Sequence, residues 1–181
     1  MKKIPSLFKR DYVNTKLIYD EVVEGCEWVL LDNTCVATVK FDGTACAIIN
    51  GTLYRRYDAK HNRIAPLGAI PCQEKDPVTG HQPHWVKVSL TNPDDKYFLI
   101  AFDPKLPDGT YELCGEKIQQ NPEKVEGYKL IRHGSKIIEN CPKTFNEIKE
   151  YLMDKDIEGI VWHNLNGKMA KIRKDDFGLK R

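Results

Sequence analysis

Lys40, in the stretch Lys40-Phe41-Asp42-Gly43-Thr44, stands at the end of an apolar run (Val36, Ala37, Val39) and just before another at 45–49. A lysine is almost never fully buried unless it is paired, yet this one lies where two strands of a core would meet. The position suits a nucleophilic amine. Desolvation and neighbouring cations lower a lysine's pKa from about 10.4 and free its lone pair near neutral pH. A surface lysine at a strand end, followed by a turn, fits these few residues equally well.

Further charged residues recur on or beside short apolar stretches. Arg55 and Arg56 are adjacent in 52–57, so strand alternation sends them to opposite faces. Glu112 interrupts the apolar strand Tyr111-Glu112-Leu113-Cys114-Gly115, and Glu158 precedes Gly159-Ile160-Val161. Lys171 and Arg173 share a face, with Ile172 on the other. Each fits one requirement of nucleotidyl transfer. Attack on an α-phosphate needs its negative charge neutralised, which a lysine and an arginine on one face can do. A carboxylate such as Glu158 can hold Mg²⁺, and Glu112 can accept hydrogen bonds from ribose hydroxyls. Taken singly, each is also accounted for by a solvated strand face or, for Glu112, by a core ion pair. The ordered set is far more specific than any member.

That order (K-x-D-G, a strand arginine, E-L-x-G, E-G-I-V, K-I-R) resembles motifs I, Ia, III, IV and V of the covalent nucleotidyltransferases: ATP-dependent DNA and RNA ligases and mRNA capping enzymes. The resemblance spans roughly residues 36 to 177. In finer features (Leu53 to Asp58, Thr79-Gly80-His81 with Trp85, Asn121-Pro122, Leu130 to Gly134, Lys171 to Phe177) the chain is similar to the small RNA ligase 1 family. The resemblance implies that Lys40 carries AMP as a lysyl phosphoramidate and that Arg56, rather than Arg55, meets a nucleotide phosphate or the RNA end. It implies that Glu112 contacts the ribose, Glu158 serves the metal, and Lys171 with Arg173 grips the α-phosphate. ATP and Mg²⁺, with Mn²⁺ as a substitute, are the implied cofactors. The implied partners are RNA 5′-phosphate and 3′-hydroxyl ends.

Two departures bear on substrate. DNA ligases and capping enzymes usually carry Arg two residues after the motif I glycine, and Ala45 stands there. Joining of RNA is therefore expected. Val39 occupies the nucleotide-binding position where some RNA ligases place an acid that reads the adenine amino group. Adenine selection would then fall to backbone groups or another side chain, so the choice of ATP over GTP rests on family alone. Tyr128 is put forward as the aromatic that stacks on the base. The alternatives are a capping-type guanylyltransferase and a non-catalytic RNA-binding module that keeps the fold.

The elements that must position these residues read as mostly strands. Residues 16–31 are expected to be strands, ending in Trp28-Val29-Leu30-Leu31. Asn50-Gly51 between 45–49 and 52–57 fits a two-residue type I′ hairpin. With the strand before Lys40, this predicts a three-stranded meander. Residues 58–84 hold Pro66, Gly68, Pro71, Pro77, Gly80 and Pro83 and read as a long irregular segment. Strands are expected at 85–88, 97–102, 110–114, 128–131, 157–162 and 169–173. One helix is expected at 145–153, with a Thr144/Glu147 capping box and an apolar face of Phe145, Ile148, Tyr151 and Leu152. The predicted class is α+β with antiparallel sheets, as a single nucleotidyltransferase domain over 1–181 with no C-terminal OB-fold.

Bulk composition is ordinary. The chain has 181 residues, 41% hydrophobic and 30% charged, with a net charge of only +2. RNA affinity must therefore come from clustered charge. Lys2, Lys3, Lys9 and Arg10 fit either an RNA-facing patch or a solvated face. The six cysteines show no C-x-x-C pair, which disfavours a structural zinc and points to a reducing compartment. His81 and His84 lack a third ligand at a useful spacing. There is no apolar h-region near the N-terminus and no run of about 18 apolar residues, so a cytoplasmic location is expected.

Overall fold

The computed structural model describes residues 2–59, 63–77 and 79–181. Within the expected irregular segment, 60–62 and 78 lie outside the described residues. No helix among the described residues is long and apolar enough to cross a membrane. The chain divides into two compact units. The first holds Asp42–His133 with the N-terminal residues up to Lys3, and the second holds Ile4–Phe41 and Gly134–Arg181.

The second unit begins with the antiparallel hairpin β1 (Phe8–Arg10) and β2 (Ile18–Val22). A short helix α1 (Trp28–Leu31) and strand β3 (Val36–Lys40) follow. α1 corrects the strand expected there. Asp32 N–H donates to the Trp28 carbonyl at 2.8 Å and Leu30 N–H to that of Glu27 at 3.0 Å. A four-residue apolar run carries no period of its own, so its sequence could not separate helix from strand.

The first unit is built on a six-stranded antiparallel sheet from β4 (Thr44–Ile49), β5 (Thr52–Ala59), β6 (Ile70–Pro71), β7 (Gln82–Lys87), β8 (Gly109–Gly115) and β9 (Tyr128–Arg132), in the order β6-β7-β5-β4-β8-β9. Asn50 and Gly51 take the positive φ angles (50° and 69°) that a type I′ turn demands, so the expected hairpin is present. One sheet face carries Cys46, Ile48, Leu53, Tyr111, Leu113 and Leu130, and Phe98 of helix α2 (Lys96–Ala101) packs in the same core cluster. α2 corrects the strand expected at 97–102. Its start signal was in the sequence: Pro93 opens a 3₁₀ turn and the Asn92 side chain accepts the Asp94 N–H at 3.2 Å. The aromatic and β-branched residues of the run pointed the other way.

The second unit closes with α3 (Phe145–Asp154), β10 (Gly159–His163) and β11 (Met169–Arg173). Ile148 and Leu152 of α3 are buried, as its periodicity predicts. Thr144 is the N-cap, but its hydroxyl donates to Glu147 at 2.6 Å instead of accepting a backbone N–H, so the reciprocal box is not formed. β11, β10 and β3 form a three-stranded antiparallel sheet in that order. This corrects the meander. β3 pairs with β10, over a hundred residues away, and the chain between Lys40 and Thr44 passes to a different sheet instead of turning a hairpin. The α+β class with antiparallel sheets stands.

Gly159 marks the tightest point of this sheet. A Cβ there would lie 2.1 Å from the Ile172 carbonyl oxygen and 2.9 Å from Arg173 Cα, both backbone atoms that cannot swing aside. Gly159→Ala should push β10 off β11 and lower the melting temperature by roughly 4–10 °C, the equivalent of about 2–3 kcal/mol of overpacking. A thermal melt checks this; an unchanged midpoint would mean the strands separate freely.

Candidate active site

Strand register sorts the three-stranded sheet of the second unit into two unlike faces. Lys40 lies opposite Gly159, which lies opposite Arg173; Thr38 lies opposite Val161, which lies opposite Lys171. Cross-strand partners share a face, so Lys40, Lys171 and Arg173 emerge together. The opposite face carries Ala37, Val39, Ile160, Trp162, Ala170 and Ile172, all buried. The strand periodicity that buries this apolar set necessarily places the three cations on one surface.

Glu158, just ahead of β10, forms an ion pair with the Lys40 amine. Both side chains are mostly buried, with 19% and 24% of their surface exposed. The loop before Glu158 is pinned by Lys174, a buried lysine. Its Nζ donates to the Lys155 carbonyl at 2.7 Å, and its N–H donates to the Glu158 carbonyl at 2.8 Å. Lys171 is held through its backbone by the N-terminal segment: its N–H donates to the Pro5 carbonyl at 2.9 Å, and its carbonyl accepts from Leu7 at 2.8 Å. Burial pushes its pKa below the usual lysine value, helped by the charges of Lys40 and Arg173; Glu158 and Asp176 only partly oppose this. A partly buried cation of this kind has lost some of its hydration.

Val39 emerges on the core face, and its N–H donates to the Lys136 carbonyl at 2.9 Å. Its side chain thus packs in the core beside Lys40. Arg10 does not join a solvated basic patch, since its guanidinium pairs with the buried Asp176.

In the first unit, Arg56 and Glu112 share one face of the six-stranded sheet. Glu112 lies opposite Ala45 of β4, and Arg56 of β5 lies opposite Trp85 of β7. The β4–β5 register carries Ala45 next to Arg56, so a methyl group separates the acid from the arginine along one row. Arg55 turns to the other face and pairs with the buried Asp95 at 2.7 Å, a structural role. Arg56 Nε donates to Asp58 at 2.9 Å. Glu112 is paired with His133 Nε2 at 2.7 Å, a partner that sequence spacing gave no means of finding. Gly43 packs directly on this strand; a Cβ would sit 2.2 Å from the Leu113 carbonyl oxygen and 2.9 Å from Glu112 Cγ.

Tyr128, the expected base-stacking aromatic, is stacked on Tyr97 with ring centroids 4.4 Å apart, so one of its faces is already covered. His81 faces Asp58 at 3.4 Å and His84 Nδ1 meets the Gln82 carbonyl at 2.9 Å, so the two histidines have separate partners. Among the described residues no group of three His, Cys, Asp or Glu is arranged to hold a metal. Glu158 is one carboxylate beside the Lys40 cation, and Mg²⁺ commonly binds through one or two carboxylates together with water and substrate phosphates.

A family model described as RNA ligase 1 matches residues 91–181. The chain is 28% identical to RNA ligase 1 of Mus musculus, over an alignment covering 80% of this chain and 67% of that protein. It is 26% identical to RNA ligase 1 of Rattus norvegicus over the same shares, and 28% identical to that of Pongo abelii over 64% of this chain and 49% of the relative. The chain thus spans between about half and two thirds of the length of these relatives.

Proposed function

The chain belongs to the RNA ligase 1 family, which places it among RNA ligases in the general sense, and from that premise we propose an ATP-dependent enzyme that joins RNA 5′-phosphate to 3′-hydroxyl ends through a lysyl-AMP intermediate. The observation that carries this reading is the emergence of Lys40, Lys171 and Arg173 on one face of a three-stranded sheet, with Glu158 paired to the Lys40 amine.

In the first step the Lys40 Nζ lone pair attacks the α-phosphorus of ATP. A P–N bond forms, the bond to the bridging oxygen breaks, pyrophosphate leaves, and the amine sheds its proton to solvent. In the second, an oxygen of the RNA 5′-phosphate attacks the same phosphorus: a P–O bond forms, the P–N bond breaks, and the departing amine takes a proton from solvent. In the third, the RNA 3′-hydroxyl attacks the 5′-phosphorus, AMP departs, and the hydroxyl proton passes to water. Lys171 and Arg173 would neutralise the α-phosphate oxygens during the first two steps. Glu158 would hold Mg²⁺, whose charge offsets that on the phosphate oxygens. In the first unit, Glu112 would accept from ribose hydroxyls, with His133 orienting its carboxylate, and Arg56 would meet a phosphate.

The test is intact mass spectrometry after incubation with Mg²⁺ and either ATP or GTP. One added adenylate from ATP is expected. GTP is included because the Val39 side chain lies on the core face and offers nothing to read the base. Label from GTP alone would replace the ligase with a guanylyltransferase, and no adduct from either nucleotide would leave a binding module.

A further inference from the structure

Arg173 is held by an arrangement to which the reaction sequence above assigns no part. The Asp176 carboxylate, almost wholly buried, divides its two oxygens. Oδ2 accepts the Arg173 backbone N–H at 2.8 Å, which caps the 3₁₀ turn Lys174–Phe177. Oδ1 accepts Arg173 Nη2 at 2.9 Å and also the Nη2 of Arg10. A cap needs only the first of these bonds. The second oxygen ties together two guanidinium groups 163 positions apart, one on β1 and one at the end of β11.

Arg10 is itself fixed from two sides. Its Nη1 donates to the Lys16 carbonyl, in the loop joining β1 to β2. Lys16 adopts a left-handed backbone (φ 57°), and the same loop is cinched by the Asp11 carboxylate, which accepts the N–H groups of Val13, Asn14 and Thr15. Those backbone donors, Asn14 and Thr15 foremost, pull the Asp11 pKa down to about 2. The hairpin loop is therefore internally braced, and Arg10 transmits that bracing to Asp176.

We propose that Arg10 and Asp176 are positioning residues for Arg173: the β1–β2 hairpin, acting through the Arg10–Asp176 pair, fixes where the Arg173 guanidinium meets the α-phosphate. This rests on the reading of Arg173 as a phosphate-gripping group. Without Arg10, Asp176 Oδ1 has only Arg173 to satisfy it and draws that guanidinium toward itself, away from substrate. A displacement of about 1 Å in such a group can cost on the order of 100-fold in rate.

The test compares the wild-type chain with Arg10→Met and Arg10→Lys by single-turnover adenylylation at varied ATP, by thermal melting, and by ¹⁵N-detected exchange of the Arg173 Nε–H with water. For Arg10→Met the adenylylation rate constant should fall about 10- to 100-fold, with KM for ATP changed less than about threefold. Arg173 Nε–H, which in the wild type faces the exposed Asp175 carboxylate at 3.3 Å, should exchange more slowly by about tenfold, because the guanidinium is drawn onto the buried Asp176. Arg10→Lys restores the charge but cannot bridge Asp176 and the Lys16 carbonyl with one planar fork, so it should fall between the two. A wild-type rate in Arg10→Met, or a loss matched by its loss of folded fraction, would overturn the proposal. Failure of the wild type to accept adenylate would instead overturn the ligase reading. The exchange measurement then decides alone, and an Arg173 signal unchanged by Arg10→Met would defeat the positioning role.

Discussion

Lys40→Ala and Lys40→Arg should both take up no adenylate, a loss on the order of 10⁴-fold or more, since the proposed reaction takes its attacking lone pair from the Lys40 amine. Arginine is the sharper probe. It keeps the positive charge beside Glu158, but a guanidinium is permanently protonated and offers no nucleophilic nitrogen. Lys40→Arg keeps a cation beside Glu158 and should melt within roughly 2–4 °C of the wild type, whereas Lys40→Ala leaves a mostly buried carboxylate without its partner and should cost up to about 3 kcal/mol, or roughly 6–12 °C. With RNA whose 5′ end already carries AMP, both variants should retain sealing, because the last displacement uses the 3′-hydroxyl and not the amine. Gel-based sealing of the two substrates separates these outcomes. Adenylate on Lys40→Arg, or equal loss on both substrates, would remove Lys40 as the nucleophile.

Lys171→Met should give the second largest effect, with a sign opposite to its effect on stability. Adenylylation should fall about 10²- to 10³-fold, the usual result of deleting a preorganised cation that meets charge developing in the transition state. Thermal stability should rise. The folded protein holds Lys171 below its ordinary pKa of 10.5, first through burial and then through the nearby charges of Lys40 and Arg173. At neutral pH the ammonium is therefore a net burden on the fold, and a methionine of similar shape removes it. The pH dependence follows from linkage. Between the lowered folded pKa and 10.5 the unfolded chain binds more protons than the folded one, so wild-type stability rises with pH in that window. The advantage of Lys171→Met should be greatest at neutral pH and shrink as pH approaches 10.5. Melting curves of both proteins across that range check it; a destabilised Lys171→Met would mean the lysine supports the fold.

Much of this was legible in the residues. Alternation in Lys171-Ile172-Arg173 placed two cations on one face, and the register with β10 confirms that placement. Asn50-Gly51 specified its hairpin, and the spacing of Ile148 and Leu152 specified α3. Arg56 is preferred over Arg55 by resemblance alone; what the structure adds is that Arg55 pairs with the buried Asp95. Where local signals competed, as in the aromatic run after Asn92-Pro93, the helix start signal and the strand-like composition disagreed, and packing of Phe98 on the sheet goes with the helix.

What could be determined from the chain alone was local: which residues alternate, where turns fall, which side chains carry charge. Tertiary structure decided partnership. That β3 pairs with β10, that Glu158 meets Lys40 across 118 positions, and that His133 meets Glu112 follow from burying particular apolar faces against one another. The same holds for Asp176, which joins residues from opposite ends of the sequence. Spacing within a strand fixes the direction of a side chain, but its neighbour is chosen by long-range burial, and no short stretch of sequence records that choice.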